Sequence, residues 1–282
     1  AAPELTSMRD AAIWPNINRA DYAVTIYQPA AQILFLLVAL LGDGGVLGMR
    51  LALIAAECVT VIVLIALLRH LGRPATRVVA YVWHPLALWE IAGNAHIDAA
   101  MLAAMLAGLW LALVAGRRTA GACVIAAAAL FKPFAALALP AAWRPWDWRA
   151  PAVALATVAV LYLPYLPAGA GVFGLLPGYL AEEGITSLSA FWLVEVIDVA
   201  VGPNAWSRPL YAIAGSALLA VLTLGVAFRR EQGAEATLRR LYRLMFAFLF
   251  LLSPNLPWYW LLVLPFAALF GYPSAWVATI AA

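Results

Sequence analysis

The stretch from Trp83 to Asp98 holds the densest set of side chains able to do chemistry: Glu90, Asn94, His96 and Asp98, with Trp83, His84 and Trp89 beside them. It lies between two apolar runs, and a polar group near membrane depth is costly enough to count as a functional candidate by default. Asn94 stands where it would cap the following helix. Asp98 falls in that helix's first turn, where the macrodipole favours a carboxylate. Capping alone would account for both. His96 has no such work to do, and an imidazole there suits proton transfer or the binding of an anion. The single lysine, Lys132, sits between two short apolar segments and precedes Pro133. It is either a lysine snorkelling at a helix end or a fixed positive charge for an anionic group near the membrane surface. Arg50, at the start of a long apolar run, admits the same two roles. Glu57 lies about two turns further along the same helix face, so an Arg50–Glu57 pairing is open but strained by distance, and structural compensation is expected of Glu57. Trp258 and Tyr259 follow a proline-rich turn, where such rings either wall a binding site or belong to an interfacial aromatic belt.

The elements that carry these residues are set by composition. Of 282 residues, 66% are hydrophobic and 11% charged, and the mean hydropathy is +0.93. A soluble domain of this length would need more charge to cover its surface. The apolar runs are continuous rather than alternating, which points to helices and away from a membrane β-barrel. Cys58 and Cys123 lie inside apolar runs and offer neither a metal-ligand spacing nor a disulfide framework. No phosphate-cradling glycine loop, zinc motif or serine triad is present, and the basic residues lie in short clusters between apolar runs rather than in a nucleic-acid patch. No nucleic-acid partner is expected.

Residues 1–28 read as a loop. Residues 29–41 are too short to span a hydrocarbon core of about 30 Å, which takes roughly 20 residues, and are expected to lie in the interface. Residues 46–68 are long enough to cross. Further apolar segments occupy 75–92, 97–115, 119–131, 134–142, 150–166, 208–228, 241–252 and 257–271. Most of the 17 basic residues fall in alternate connections, at 69–77, 117–118, 144–149 and 229–243. By the positive-inside rule these mark the cytoplasmic face. Residues 1–45, the 92–98 turn, Lys132, the 167–207 loop and the 253–257 turn then face outward. The expected fold is all-α: one polytopic transmembrane helical bundle over 1–282, with residues 1–45 as an extracytoplasmic loop and 46–282 as the bundle.

Five stretches together resemble the GT-C class of membrane glycosyltransferases, and among them bacterial polyprenol-phosphate-mannose-dependent mannosyltransferases. They are IWPNINRADYAVTIYQPAAQILFLL (13–37), the span beginning near Arg50, WHPLALWEIAGNAHIDAAML (83–102), LFKPFAALALP (130–140) and SPNLPWYWLLVLP (253–265). The resemblance implies an inverting hexosyltransferase of the bacterial cell membrane. Its partners would be membrane lipids, a polyprenyl-phosphate sugar donor and a lipid or glycan acceptor, and its site would face the extracytoplasmic side. It places Asn94, His96 and Asp98 at the border of the active-site cavity, and Tyr27 in a first-loop motif where Tyr-Pro-Pro is common and this chain reads Tyr27-Gln28-Pro29. The family's catalytic base is an Asp early in the first loop, after a first transmembrane helix. Neither precedes Asp10 or Asp21 here, so the base is not transferred to either residue, and both ends of the chain look cut. This chain alone is expected to be inactive. Where the family often has His before Pro-Trp-Tyr, Leu256 stands here, after Asn255.

Such a transfer needs a base for the acceptor hydroxyl, cations for the leaving phosphate and aromatic walls for the sugar. Asp98 and His96 are the catalytic candidates. Asn94, Lys132, Arg50, Tyr27, Trp258 and Tyr259 are the substrate-binding ones. No metal site is assigned; Glu90 and Asp98 could hold Mg²⁺ or Mn²⁺, but two carboxylates do not make a site. The competing class is a transporter or lipid flippase, which would show inverted repeats and ionisable groups at mid-depth.

Overall fold

The structure, a computed structural model, describes residues 6, 11, 14–17, 24–42, 45–189, 191–202, 206–228, 233–254 and 256–281. Asp10, Asp21, Asp43, Asn255, Arg229 and Arg230 lie outside the described residues, and most of the 1–28 loop with them. The described chain is mostly helical, with no strand among the described residues. Helices of ten residues or more are α1 (Pro29–Leu41), α2 (Val46–His70), α3 (Asp98–Leu113), α4 (Arg118–Ala129), α5 (Arg149–Tyr162), α6 (Trp192–Val201), α7 (Ser207–Ala227) and α8 (Ala234–Leu252).

Three helical runs are long and apolar enough to cross a membrane: Val46–His70, Arg149–Glu182 and Ser207–Ala227. A fourth is reached if the bent pair Pro85–Gly93 and Asp98–Leu113 counts as one span. The apolar segment over 75–92 is interrupted in sequence by His84-Pro85, and the structure breaks it up there. Pro85 lacks an N–H and starts a new helix, His84 Nδ1 accepts from the Leu86 N–H at 3.2 Å, and Leu88–Gly93 winds as a π-helix. The pair then bends by 116°. The 167–207 loop is likewise largely helical. The run from α5 continues as 3-10 turns over Leu163–Phe173, kinks at Gly169, and is followed by Leu176–Glu182 and α6.

The centre of the molecule is α3. Met101, Leu102, Met105, Leu106 and Leu109 are buried along one face, and the small residues Ala99, Ala100 and Ala103 are buried on the other side of its first turns. It meets α4 through two glycines. A Cβ on Gly108 would stand 2.9 Å from the Gly121 carbonyl oxygen, and one on Gly121 would stand 2.6 Å from that of Gly108. The backbones touch only because neither residue has a side chain. In contrast α1 is packed only at its start, where Ala30 and Ala31 are buried, while Leu36, Leu37, Leu40 and Leu41 are exposed.

Contacts between connections sort the molecule into two ends. At one end the Arg73 guanidinium donates to Glu235 Oε1 at 2.9 Å and to the Leu269 carbonyl at 2.8 Å. Arg239 donates to Glu235 and to the Tyr272 hydroxyl, and Arg118 to the Trp143 carbonyl. At the other end Arg50 donates to the Gly93 carbonyl at 3.0 Å, the Tyr162 hydroxyl to Gln28 Oε1, and Lys132 Nζ to Asp98. Successive segments therefore run alternately up and down, and the basic connections gather opposite to the candidate site.

Candidate active site

The N-terminus of α3 brings Asp98 to one end of the bundle with its carboxylate 2% exposed. Buried there, the carboxylate needs a partner, and Lys132 supplies it at 2.6 Å from the turn after α4. The α3–α4 hairpin makes the pair: Gly108 and Gly121 lock the two helices together, so Asp98 at the start of α3 and Lys132, three residues past the end of α4, meet. Lys132 is in turn held over the Tyr259 ring, 5.2 Å from its centroid, with Trp258 at 6.0 Å. An ammonium has three donors, and Asp98 takes one of them.

His96 lies in the turn before α3 and stacks on Trp258, ring centroids 4.3 Å apart. Its Nε2 meets Glu90 Oε2 at 3.2 Å, and the same oxygen accepts from Asn94 Nδ2 at 3.0 Å. Burial holds the imidazole below its ordinary pKa and the Lys132 charge adds to this, while the carboxylates of Asp98 and Glu90 pull the other way. The turn is strained next to it, since Ala95 sits at φ +56° in the left-handed region.

A cavity of about 450 Å³ opens on these groups, lined among others by Tyr27, His96, Lys132, Tyr179, Trp258 and Tyr259. That volume is in the range of small-molecule sites. Five of the eight residues singled out from the sequence thus face one space, though they come from positions 27, 96, 132, 258 and 259. Asp98 is beneath it, behind Lys132. Asn94 and Arg50 are not among its lining residues. Asn94 does not cap α3: the residue before α3 is Ile97, with no side-chain cap, while Asn94 closes the Leu88–Gly93 π-helix and its amide holds Glu90. Arg50 ties α2 to the Gly93 carbonyl rather than to Glu57. Glu57 accepts from the Tyr81 hydroxyl at 3.1 Å, which removes the strained Arg50–Glu57 pairing. Glu90 and Asp98 each hold different partners, and among the described residues no group of three or more His, Cys, Asp and Glu side chains gathers to hold a metal ion.

Two parts of the site were not singled out from the sequence. Glu90 stood among the chemistry-bearing residues of 83–98 and as a possible metal ligand but was given no catalytic or binding role, yet it is the buried acceptor that orients both Asn94 and His96. Tyr179 reaches the cavity from the 167–207 loop and hydrogen-bonds Tyr259. Beyond the two tyrosines a second cavity of about 340 Å³ is lined by Glu182, Glu183 and Ser189. The loop is anchored back to the first-loop segment by the Leu175 N–H, which donates to the Thr25 carbonyl at 2.8 Å. A Cβ on Gly174 would come within 2.1 Å of that oxygen. Only the pattern of apolar and acidic residues in 176–183 could have hinted at this.

Residues 21–147 match the MptA_B family, described as the N-terminal domain of α-(1→6)-mannopyranosyltransferase. The matched stretch carries Tyr27, Arg50, Asn94, His96, Asp98 and Lys132, and stops short of Tyr179, Trp258 and Tyr259. It agrees with the GT-C-type resemblance of the motifs and supports a membrane mannosyltransferase. Neither a curated protein nor a solved structure gave a match.

Proposed function

We propose that this protein transfers a mannosyl group from a polyprenyl-phosphate donor to a lipid or glycan acceptor, with inversion, at the extracytoplasmic face of a bacterial cell membrane. The observation that carries this is the single lysine. Its ammonium is pinned by a buried carboxylate under two aromatic rings, and it lines a cavity of the right size for a sugar phosphate. In the step, the acceptor oxygen bonds to the anomeric carbon, the bond from that carbon to the phosphate oxygen breaks, and the phosphate leaves with the electron pair. Lys132 meets the charge that develops on it, a form of stabilisation that costs no reorganisation because Asp98 already fixes the ammonium. The acceptor's proton goes to a base. His96, neutral and stacked on Trp258, is the cavity residue we assign to it. Trp258, Tyr259 and Tyr27 wall the sugar. Arg50 and Asn94 act through the turn they hold, Arg50 on Gly93 and Asn94 on Glu90.

The family match favours this over transport. The test is transfer of radiolabelled mannose from a polyprenyl-phosphate donor in membranes carrying the full-length parent protein, beside its Lys132→Ala and Asp98→Asn variants. Loss of the cation should lower the rate by roughly 10²-fold or more. Unchanged rates in both variants overturn the site, and uptake of the donor without a new glycosidic bond overturns the reaction.

A further inference from the structure

At the basic end of the bundle, opposite to Lys132, a hollow of about 530 Å³ lies between the starts of α4 and α5, the end of α7 and the turn at Trp143. Ala122, Ala150, Ala154 and Ala227 leave the room, where larger side chains would fill it. Leu155, Leu224 and Phe228 line the hollow and are exposed, so it opens sideways between α5 and α7, towards lipid. Its polar side chains are Thr223 and the Trp143 indole, and the indole N–H already donates to the Asp147 carbonyl at 3.0 Å. Water needs several polar partners to stay in such a place. Hydrocarbon needs none, and it restores the dispersion contacts that an empty hollow forfeits.

The mouth of this hollow is basic. Arg144 follows Trp143, Arg149 precedes Ala150, and Arg118 stands one turn before Ala122, so each guanidinium is carried next to a lining residue. Arg144 and Arg149 are exposed. Arg118 donates to the Trp143 carbonyl at 3.4 Å and is repelled by the Arg144 charge. The carboxylate in this turn, Asp147, attracts Arg118 and accepts from the Arg149 N–H at 3.1 Å, which closes the start of α5. It offsets only part of the charge of the three arginines, and a bound anion would relieve the rest. The same turn holds two indoles at the surface. Trp146, 77% exposed, takes φ +69°, a left-handed backbone rare for a residue with a side chain, and Trp148 is exposed beside it. Indoles so placed belong at the level of lipid headgroups. A free anion would satisfy the arginines but not the hollow, and an alkane the hollow but not the arginines.

We propose that this hollow and its arginine mouth form a site for one anionic phospholipid of the cytoplasmic leaflet, with an acyl chain between α5 and α7 and its phosphate at Arg118, Arg144 and Arg149. The site lies at the far end of the bundle from Lys132, in the other leaflet. It makes no use of the transfer reaction, and the lipid it holds is neither donor nor product.

The test uses the full-length parent protein, purified in detergent and mixed with dioleoyl phosphatidylglycerol, dioleoyl phosphatidylcholine or undecaprenyl phosphate, with bound lipid counted by native mass spectrometry. Phosphatidylglycerol should bind roughly 30-fold tighter than phosphatidylcholine, the worth of two exposed arginines at an anionic headgroup. Arg144→Gln/Arg149→Gln should bring it down to the level of phosphatidylcholine and leave phosphatidylcholine unchanged. That retained binding shows the variant is folded. Arg69→Gln/Arg77→Gln removes as much charge from the same face, away from the hollow, and should change neither lipid. Thr223→Phe fills the hollow and should weaken both phospholipids alike, and Leu224→Trp repeats this from an exposed position. Equal affinity for the two phospholipids overturns the proposal. So does selectivity that survives the loss of Arg144 and Arg149 or falls as far without Arg69 and Arg77, and so does unaltered phosphatidylglycerol binding in both filled variants. Undecaprenyl phosphate displacing phosphatidylglycerol one for one also overturns it, since the hollow would then belong to a polyprenyl chain.

Discussion

Removing the Lys132 ammonium while leaving Asp98 in place tests the site at its root. In Lys132→Met the aliphatic stem is approximated and only the charge is lost. The Asp98 carboxylate is 2% exposed and its 2.6 Å partner disappears. Truncating one half of a buried pair costs about 3–5 kcal/mol, because the remaining charge is left without compensation. Lys132 keeps 17% of its side chain exposed, so water can enter and the lower end, about 3 kcal/mol, is expected. Loss of the ammonium over Tyr259 adds about 0.5–1 kcal/mol. Asp98→Asn alone should cost less, since an amide tolerates burial better than a carboxylate, yet it strands the lysine. The double variant, neutral on both sides, should recover most of the loss, as replacing both members of a buried pair often proves near neutral. Thermal unfolding in one detergent reads this out, and at roughly 2–4 °C per kcal/mol Lys132→Met should melt about 7–16 °C below the parent. The coupling in the double-mutant cycle should be at least about 2 kcal/mol. Additive effects, or a Lys132→Met shift below about 2 °C, would show that the two charges do not depend on one another, and the fixed-cation argument would be refuted.

Other consequences are open to the same kind of check. Gly121→Val puts side-chain atoms into the Gly108 carbonyl, and overpacking of this sort should cost about 1–3 kcal/mol, whereas Gly225→Ala, with nothing within 4 Å of its new Cβ, should raise the melting temperature slightly. Burial lowers the His96 pKa, so the folded state resists its protonation. Stability should therefore be full above the ordinary histidine range and decline as pH falls through it. The decline should be smaller in His96→Gln, and identical pH profiles for the two proteins would count against a buried, neutral imidazole. Ala95→Gly relieves a left-handed residue, worth about 1 kcal/mol, and should raise stability while loosening the turn that aims His96, so donor affinity should drop even as the melting temperature rises. Gly174→Ala should separate the 174–182 segment from Thr25 and weaken binding at the Tyr179 side of the cavity without unfolding the bundle, measured by quenching of Trp258 by a spin-labelled lipid phosphate.

How far the chain explains itself depends on the range of the interaction. Hydropathy acts locally, so the all-α membrane architecture and the long helix Val46–His70 follow from composition and run length alone. Charge in the connections is also a local property, and it anticipated that Arg73 and Arg239 would gather at the end opposite to Lys132. Residue chemistry was enough to single out Asp98, His96 and Lys132, because a costly group in an apolar setting needs a reason. Partnership was not legible in that way. Whether Lys132 snorkels to water or pairs with Asp98 turns on a helix crossing made by Gly108 and Gly121, far from both in sequence. Asn94 had the right type and place for a cap, but the π-helical turn before it offered the buried Glu90 carboxylate instead, and a charge-assisted bond to a buried acceptor wins over an exposed cap. Likewise the folding of 176–183 over the cavity depends on what packs against it. Sequence determined that this protein lives in lipid and which side chains are too expensive to be idle; tertiary packing alone decided which of them meet, because a buried charge takes whatever partner the helix crossings bring within reach.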